Sequence, residues 1–234
     1  MAGAERARQR IDMHLHTRHS FDCVTDPLRL VAALDARGLD RICVTDHNEI
    51  GTALALKERY PERIIVGEEV KTAERVDIIG LFLTRRIPGG TPALETCALI
   101  HEQGGIVYVP HPFARGKGGG GRILAHIESQ VDAVEGFNAR LHDPALNERA
   151  TAWGGARGLP LGAGSDAHTL GEVGRAYAEL PWCDDEPAAF LAALRAATIH
   201  GTASPRTVHV ASAWARVHKR LVPAAARGLE PGAA

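Results

Sequence analysis

The stretch from residue 11 to residue 16 reads IDMHLH, and apolar and polar side chains alternate along it. Because successive side chains of a β-strand point to opposite faces, we expect Asp12, His14 and His16 to share one face of a strand. Two imidazoles on one face can bind the same metal ion, and Asp12 could accept a proton from one ring and orient it. The competing interpretation is a pair of surface histidines on an edge strand.

Beyond this strand, short runs rich in β-branched residues alternate with longer segments that are rich in Ala and Leu and have the helical period. This order is typical of βαβ units around a parallel sheet or barrel. We predict strands over residues 10–16, 42–46, 63–70, 76–83, 105–109, 131–137, 159–164 and 174–180. The predicted helices cover residues 27–37, 49–60, 92–103, 122–129, 144–157 and 187–198.

Polar side chains cluster at or just after most of the predicted strands. The clusters are Asp46 with His47, Glu68 with Glu69, His111, Asn138, and Asp166 with His168. In a parallel barrel the carboxyl ends of the strands converge on one face, so residues far apart in the sequence would meet there. Taken alone, each Asp-His pair could be a capping Asp beside a solvated His, and His111 could be a packed loop residue. Their repetition at successive strand ends favours a shared site.

The composition limits the classes of protein to which the chain can belong. Its 234 residues are 45% hydrophobic, and 27 basic against 28 acidic residues give a net charge of -1. Such a balance provides no overall field that would draw the chain to nucleic acid or to an anionic membrane. The four cysteines include no C-x-x-C pair, which argues against a thiolate zinc site. With no secretory signal pattern and no apolar run long enough to cross a bilayer, we predict a cytoplasmic protein.

We predict a single domain over residues 11–221, with an N-terminal tail of residues 1–10 and a C-terminal tail of residues 222–234 that is rich in Ala, Gly and Pro. The glycine run from Gly116 to Gly121 predicts a mobile loop, because glycine loses much backbone entropy when it is ordered. The loop could close over a substrate as a lid, or it could be a slack connection.

The polar clusters follow one another in the order H-x-H, T-D-H, G-x-E, H-P, E-x-x-N and S-D-A-H, and G-R-A-Y follows at residues 174–177. This ordered set, over residues 11 to about 210, resembles the PHP (polymerase and histidinol phosphatase) family. The resemblance implies an α/β fold, a distorted (β/α)7 TIM-like barrel. It also implies bound divalent metal ions, usually three zinc, manganese or iron ions, and the metal-dependent hydrolysis of phosphoesters.

Position by position, the resemblance implies a ligand set for each metal ion. The first ion would be bound by His14, His16, Glu69 and Asp166, and Glu69 would bridge to a second ion that His111 binds. The third ion would be bound by Asp22, His47 and His168. His19 would be a neighbour of this cluster and not a ligand.

One position departs from the family pattern. Many members supply a further histidine to the second ion just before an I-x-G stretch, and here Asp77 occupies that place. Asp77 could bind through oxygen, and the change from imidazole to carboxylate would favour manganese or iron over zinc. If Asp77 does not bind, the cluster would be dinuclear.

For the reaction, we expect a metal-bridging hydroxide to attack the phosphorus. The candidate catalytic residues are Glu69, Asp166 and His168. Groups outside the cluster would hold the phosphate, with Arg115 as the first choice and Arg140 and Asn138 as further candidates. For Lys117, Arg122 and Arg140, a solvated surface charge is the simpler interpretation.

The expected substrate is a small phosphorylated metabolite or a nucleotide. A rival hypothesis is a 3'-5' exonuclease or polymerase-associated proofreading module, although the sequence shows no aromatic and basic stripe for a single strand. The H-x-H strand is also compatible with an amidohydrolase-type barrel, or with a metal-binding regulatory domain that has no catalytic activity. The native metal and the oligomeric state are open, because Trp153, Trp182 and Trp214 could be core or interface residues.

Overall fold

The computed structural model describes residues 7–115 and 118–222. Its strands are β1 Arg8–Leu15, β2 Arg41–Val44, β3 Ile64–Lys71, β4 Asp77–Leu81, β5 Ile106–Val109, β6 Ala133–Asn138, β7 Leu161–Gly164, β8 Ala176–Pro181 and β9 Thr198–Gly201. Strand β1 begins at Arg8, within the range 1–10 of the predicted N-terminal tail, and residues 1–6 of that tail lie outside the described residues. Residues 116–117 of the glycine run and residues 223–234 of the predicted C-terminal tail lie outside the described residues.

Eight α-helices occur in the described part of the chain. They are α1 Pro27–Ala32, α2 Leu34–Arg37, α3 Gly51–Arg59, α4 Ala93–Glu102, α5 Leu124–Ile127, α6 Pro144–Gly155, α7 Pro187–Leu194 and α8 Val208–Leu221. The start of α1 follows from its sequence, because Asp26 accepts hydrogen bonds from the backbone of Leu28 and Arg29 and a proline occupies the first turn. None of these helices is both long enough and apolar enough to cross a membrane.

The strands form one sheet in the order β7-β6-β5-β4-β3-β2-β1-β8-β9. The pairs β1/β2, β2/β3, β5/β6 and β6/β7 are parallel. The pairs β3/β4, β4/β5, β1/β8 and β8/β9 are antiparallel. The sheet therefore keeps the parallel frame that the sequence predicts, interrupted by antiparallel pairs at β4, β8 and β9.

The segment that follows β7 nearly closes this sheet into a barrel. The backbone N–H of Asp166 donates to the carbonyl oxygen of His14 at 2.7 Å, and the N–H of His16 donates to that of Ala167 at 2.9 Å. The other half of the same edge of β1 pairs with β8. The predicted TIM-like α/β barrel is confirmed, and the contact that closes it joins two of the predicted metal-binding segments.

The central strands are buried on both faces, as strands between a barrel interior and surrounding helices must be. Successive residues along a strand belong to different clusters of the hydrophobic core, because their side chains point to opposite faces of the sheet. Cys43 and Ile65 pair in register and belong to one cluster, while Val44 and Val66 pair next to them and belong to the other. The cluster that contains Val44 and Val66 also includes side chains of the helices, so it joins the sheet to the helical layer.

A bulge in β1 changes the expected faces of its residues. Asp12 pairs with Ile42 and Leu15 pairs with Val44, so three steps of β1 oppose two steps of β2. The extra residue separates the face of Asp12 from that of the imidazoles. The prediction that Asp12 shares a face with His14 and orients its ring is wrong, because the Asp12 carboxylate accepts backbone N–H groups of Ser165 and Gly174.

The two elements absent from the predicted set lie near the C-terminus. The predicted helix over 187–198 ends at Leu194, and residues 198–201 form the edge strand β9. Helix α8, residues 208–221, is strongly amphipathic, but its apolar stripe of Val210, Trp214, Val217 and Leu221 faces solvent. Polar contacts, among them those of Ser212 and Lys219, hold α8 to the barrel.

Candidate metal centre

Imidazole and carboxylate side chains converge where the strand ends meet. Seven of the predicted ligands form three overlapping groups, and within each group the potential ligand atoms lie within 4.8 Å of one another. The groups are His14 with His16 and Asp166, His14 with Glu69 and His111, and His16 with His47 and His168. The folded chain thus brings together residues separated by up to 154 positions in the sequence.

His14 and His16 point equivalent nitrogen atoms at each other, with 3.2 Å between the two Nε2 atoms. Glu135 fixes the proton of His14, because its Oε1 lies 3.1 Å from Nδ1 of the ring. With a proton on Nδ1, the Nε2 atom of a neutral His14 presents a lone pair.

Ser20 fixes the proton of His16 in the same way. The hydroxyl of Ser20 donates to Asp46 at 2.6 Å, so its oxygen accepts from Nδ1 of His16 at 3.0 Å. Burial, together with the nearby rings of His168 and His47, lowers the pKa of His16 to about 4. His16 is therefore neutral at physiological pH. The short distance between the two Nε2 atoms therefore needs a shared positive group, which is either a proton on His14 or a metal ion bound by both rings.

Glu69 lies between the three groups. Its Oε2 is 3.0 Å from Nδ1 of His47 and 3.4 Å from Nε2 of both His14 and His16, while Oε1 is 3.2 Å from Nε2 of His111. Burial would raise the pKa of Glu69, but His47 and His14 hold it well below its usual range. None of the described residues makes a well-aligned hydrogen bond to Glu69 Oε2, although the His47 ring is close to it. An ionised, buried and unsatisfied carboxylate in this position fits a bridging metal ligand.

Carboxylates also determine the charge state of His14. Burial lowers the pKa of His14, but Glu135 and Glu69 outweigh this effect and raise it well above its usual value. The buried carboxylates therefore need a positive charge at this point, which either a proton or a metal ion can supply. Since metal binding requires the unprotonated nitrogen, a metal ion would replace the proton here.

Two candidate ligands have backbone conformations in the left-handed region. The φ angle is 27° at His111 and 51° at Asp166, where side chains other than glycine are uncommon. The His111 N–H donates to Glu135 Oε2 at 2.7 Å, and the Asp166 N–H donates to the end of β1. These bonds hold both residues in strained conformations at the site, as is frequent for functional residues.

Asp22 joins the cluster from the loop after β1. Its Oδ1 lies 3.1 Å from Nε2 of His168 and 3.7 Å from Nε2 of His47. Burial would raise the pKa of Asp22, but the hydrogen bond and charge of His168 lower it well below its usual range. The predicted third ligand set, Asp22 with His47 and His168, is therefore together in space.

Asp77 is close to the cluster but has a different partner. Its Oδ1 lies 2.5 Å from Nζ of Lys71, and its backbone N–H donates to the carbonyl oxygen of Gly118. Burial and the charge of Glu69 raise the pKa of Asp77. Asp77 belongs to none of the three groups of converging ligand atoms. Its role as a ligand therefore stays a prediction, and it competes with the Lys71 ion pair.

The predicted substrate contacts differ in their surroundings. Asn138 is fully buried, and its amide donates to Glu135 while its oxygen accepts the backbone N–H of Arg140. Arg140 is also buried, with its guanidinium near Glu172 at 2.9 Å and Ser212 at 2.8 Å. This geometry favours positioning over direct substrate contact for both residues. Arg115 is exposed, and Lys117 lies outside the described residues.

Sequence reasoning missed two residues of the site. Glu135 lies in the E-x-x-N motif, although its contact with His14 depends on packing between β6 and β1. Arg216 of α8 places Nη1 3.7 Å from Oδ2 of Asp22. No sequence signal points to Arg216, because it is 194 positions from Asp22 on a helix that the sequence pattern did not predict.

Buried imidazoles and carboxylates at the strand ends of a barrel define a metal-binding α/β barrel protein. The profile of the PHP domain matches residues 12–119, and the PHP-associated profile matches residues 144–199. The uncharacterized protein MJ1587 of Methanocaldococcus jannaschii is 34% identical over 153 residues, which are 59% of this chain and 87% of that protein. The chain belongs to the PHP family, as its ordered motifs predicted.

Solved structures agree with this fold. A two-domain protein of Bacteroides vulgatus, which contains a predicted PHP-like metal-dependent phosphoesterase, has a TM-score of 0.65 at 18% identity over 86% of this chain and 70% of its own. A lesion-specific endonuclease of Pyrococcus furiosus has a TM-score of 0.62 at 16% identity over 82% of this chain and 57% of its own. Identities this low show a shared fold alone.

Proposed function

We propose that the protein hydrolyses phosphoesters with metal ions bound at this centre. The observation that carries the proposal is the buried convergence of His14, His16 and Glu69, because the carboxylate there needs a positive charge that a metal ion bound by both rings would supply. Membership of the PHP family supports the same chemistry. Bound divalent ions would lower the pKa of a bound water and offset the negative charge that develops on the phosphate.

We assign the ligands as three sets, following the pattern of the PHP family, and the three groups of converging atoms overlap with these sets. The first set is His14, His16, Glu69 and Asp166; the second is Glu69 and His111, with Asp77 if it leaves Lys71; the third is Asp22, His47 and His168. Nitrogen and carboxylate ligands suit zinc, manganese or iron. A trinuclear centre needs all three sets, and a dinuclear one needs only the first and third.

Neighbouring side chains orient the proposed ligands and determine which ring nitrogen of each histidine carries a proton. Glu135 and Ser20 place protons on Nδ1 of His14 and His16, so that both Nε2 atoms point into the centre. Burial would raise the pKa of Asp166, but the charge of His14 holds it well below its usual range. An ionised Asp166 can accept a hydrogen bond from an attacking water. We propose Glu69, Asp166 and His168 as the catalytic residues.

The accessibility of the centre favours a terminal phosphate as the substrate group. The side chains of Asp22, His47 and Asp166 are exposed by only 10–13%, and the other ligand side chains are less exposed. Ligands that are buried to this degree are reached more readily by the end of a small phosphorylated metabolite or nucleotide than by the middle of a duplex. We therefore propose phosphomonoesters as the substrates.

The test is a double variant, His14→Ala with His16→Ala, compared with His126→Ala, which changes an exposed histidine of α5. We expect the double variant to lose bound metal, measured by mass spectrometry, and to lose hydrolysis of p-nitrophenyl phosphate. The His126 variant should retain both. If the double variant hydrolysed the ester at the wild-type rate, the assignment of the centre would be refuted.

A second candidate is hydrolysis at the end of a single-stranded nucleic acid. The observation that favours it is α8, which exposes Arg216 and Arg220, has no acidic residue, and exposes Trp214 stacked on His218. The helix provides the basic and aromatic surface that the sequence did not reveal. Release of nucleotides from labelled single-stranded DNA faster than phosphate from nucleotide monophosphates would favour this candidate.

A further inference from the structure

We infer that Arg216 of α8 binds the phosphate group of the substrate, an inference that rests on the proposed phosphoesterase function. Helix α8 lies outside both ranges that the family profiles match, so the family pattern gives Arg216 no role. The guanidinium is nevertheless next to Asp22 of the candidate centre.

Helix α8 is fixed against the centre near both of its ends. Toward its C-terminal end, Lys219 Nζ donates to the carbonyl oxygen of Arg18 at 2.6 Å and also to that of Ser20. Toward its N-terminal end, Ser212 accepts a hydrogen bond from Arg140, which in turn contacts His168. The position of α8 beside the metal centre is thus fixed by contacts with the loop after β1 and with Arg140, which contacts His168.

Arg216 lies between these two anchors on the same face of the helix. Ser212, Arg216 and Lys219 follow one another at spacings of four and three residues, which places them on one side of α8. This side contacts the loop that carries Asp22. Helix α8 therefore places the Arg216 guanidinium beside Asp22, and this position does not depend on a mobile loop.

The contact between Arg216 and Asp22 leaves the guanidinium free to bind a ligand. Nη1 lies 3.7 Å from Oδ2 of Asp22, and 43% of the Arg216 side chain is exposed. An ion pair at this distance, with the guanidinium side open to solvent, is weak and leaves the other guanidinium donors available. The other carboxylate oxygen of Asp22 faces His168. Asp22 thus lies with one oxygen toward the metal centre and the other toward Arg216.

Geometry and charge suit the guanidinium to a phosphate. Its planar donors can form two parallel hydrogen bonds to phosphate oxygens, and each is strengthened by the opposite charges. Arg140 cannot serve in this way, because it is buried and its donors face Glu172 and Ser212. A phosphoester that reaches the third ligand set from solvent would meet Arg216 at the opening.

The experiment compares Arg216→Ala and Arg216→Lys with Arg59→Ala, which removes an exposed arginine at the end of α3. Each protein is loaded with manganese, and the affinity for inorganic phosphate is measured by calorimetry, together with the metal content and the kinetics on p-nitrophenyl phosphate. For Arg216→Ala we expect roughly ten-fold or greater increases in the Kd for phosphate and in KM, with a smaller change in kcat. Arg216→Lys should recover part of the loss, and metal content should not change.

Three results would overturn the inference. They are an unchanged Kd for phosphate in Arg216→Ala relative to Arg59→Ala, a loss of metal from Arg216→Ala, and no phosphate binding by the wild-type protein. If Arg216→Ala does not fold, Arg216→Gln replaces it, because its side chain keeps a similar reach. A wild-type protein that binds phosphate through Arg216 and hydrolyses no ester would refute the phosphoesterase function while supporting this inference.

Discussion

Glu135 Oε1 lies 3.1 Å from Nδ1 of His14, and both side chains are fully buried. The same carboxylate uses its other oxygen to accept the backbone N–H of His111 at 2.7 Å. Glu135 therefore positions two candidate ligands that come from different strands, while it points no oxygen at the centre itself. Carboxylates that orient a ligating imidazole in this way fix its tautomer and raise its basicity.

We expect Glu135→Gln to weaken metal binding by about 10- to 100-fold, the range typical for residues that orient a ligand. The amide has the size of the carboxylate but lacks its charge, and its nitrogen cannot accept a hydrogen bond from His14 or His111. Titration of the metal against a chelating dye measures the effect. The control is Glu62→Gln at an exposed position. Equal metal affinity in the two variants would show that Glu135 has no orienting role.

Gly164, at the end of β7, leaves the space that His14 and Glu135 occupy. A Cβ atom at this position would lie 2.3 Å from Cβ of His14 and 2.4 Å from Oε1 of Glu135. Neither neighbour can move without disturbing the His14 ring. We expect Gly164→Ala to destabilise the fold by about 1–3 kcal/mol, as overpacking does, and to lower the metal content.

Chemical denaturation and metal analysis test this expectation, with Gly155→Ala as the control. A Cβ atom at Gly155 meets no heavy atom within 4 Å, and the residue is the last of helix α6. Alanine there should be neutral or stabilising by up to about 1 kcal/mol. Equal stability and metal content of the two variants would mean that the space around His14 is not limiting.

We expect the ion pair between Lys71 and Asp77 to weaken the proposed second metal site. An ammonium group at 2.5 Å neutralises Asp77 and repels a cation bound by Glu69 and His111. We expect Lys71→Met to raise the ratio of metal to protein, and Asp77→Asn to leave the first and third sites occupied. Metal content after dialysis against a weak chelator measures both. A lower metal content in Lys71→Met would show that Lys71 supports the centre.

The strand ends could be predicted from the sequence because their signals are local. An apolar run followed by His or Asp marks the end of a buried strand, and in a barrel all such ends lie together. His47, Glu69 and Asp166 could therefore be placed at one site without any knowledge of side-chain packing. The order of the motifs, which identifies the family, added the partition into ligand sets.

The remaining features depend on contacts that no local pattern contains. The bulge in β1 results from the register with β2, so the face of Asp12 could not be read from strict alternation. The apolar residues of α8 have helical spacing in the sequence, but no local pattern shows that this stripe faces solvent while polar contacts of Ser212 and Lys219 hold the helix to the barrel. The position of α8 beside the metal centre thus depends on tertiary contacts.

Phe21 contributes an apolar surface at the same opening. Its ring centroid lies 4.8 Å from that of His47, and the residue is 54% exposed. An exposed aromatic ring beside a candidate ligand can pack against the leaving group of a phosphoester, and aromatic pairs contribute about 0.5–1.5 kcal/mol beyond the area that they bury. We expect Phe21→Ala to reduce kcat/KM for p-nitrophenyl phosphate by roughly 2- to 10-fold relative to glycerol phosphate.

The ratio of the two kcat/KM values measures this contact, because a general disturbance of the metal centre would lower both values equally. Leu94→Ala is the matched control, since Leu94 is 53% exposed on α4 and its loss removes a similar apolar surface. The control should leave the ratio unchanged. If Phe21→Ala also left the ratio unchanged, the leaving group would have to lie elsewhere, and the surface of α8 around Trp214 would become the next site to vary.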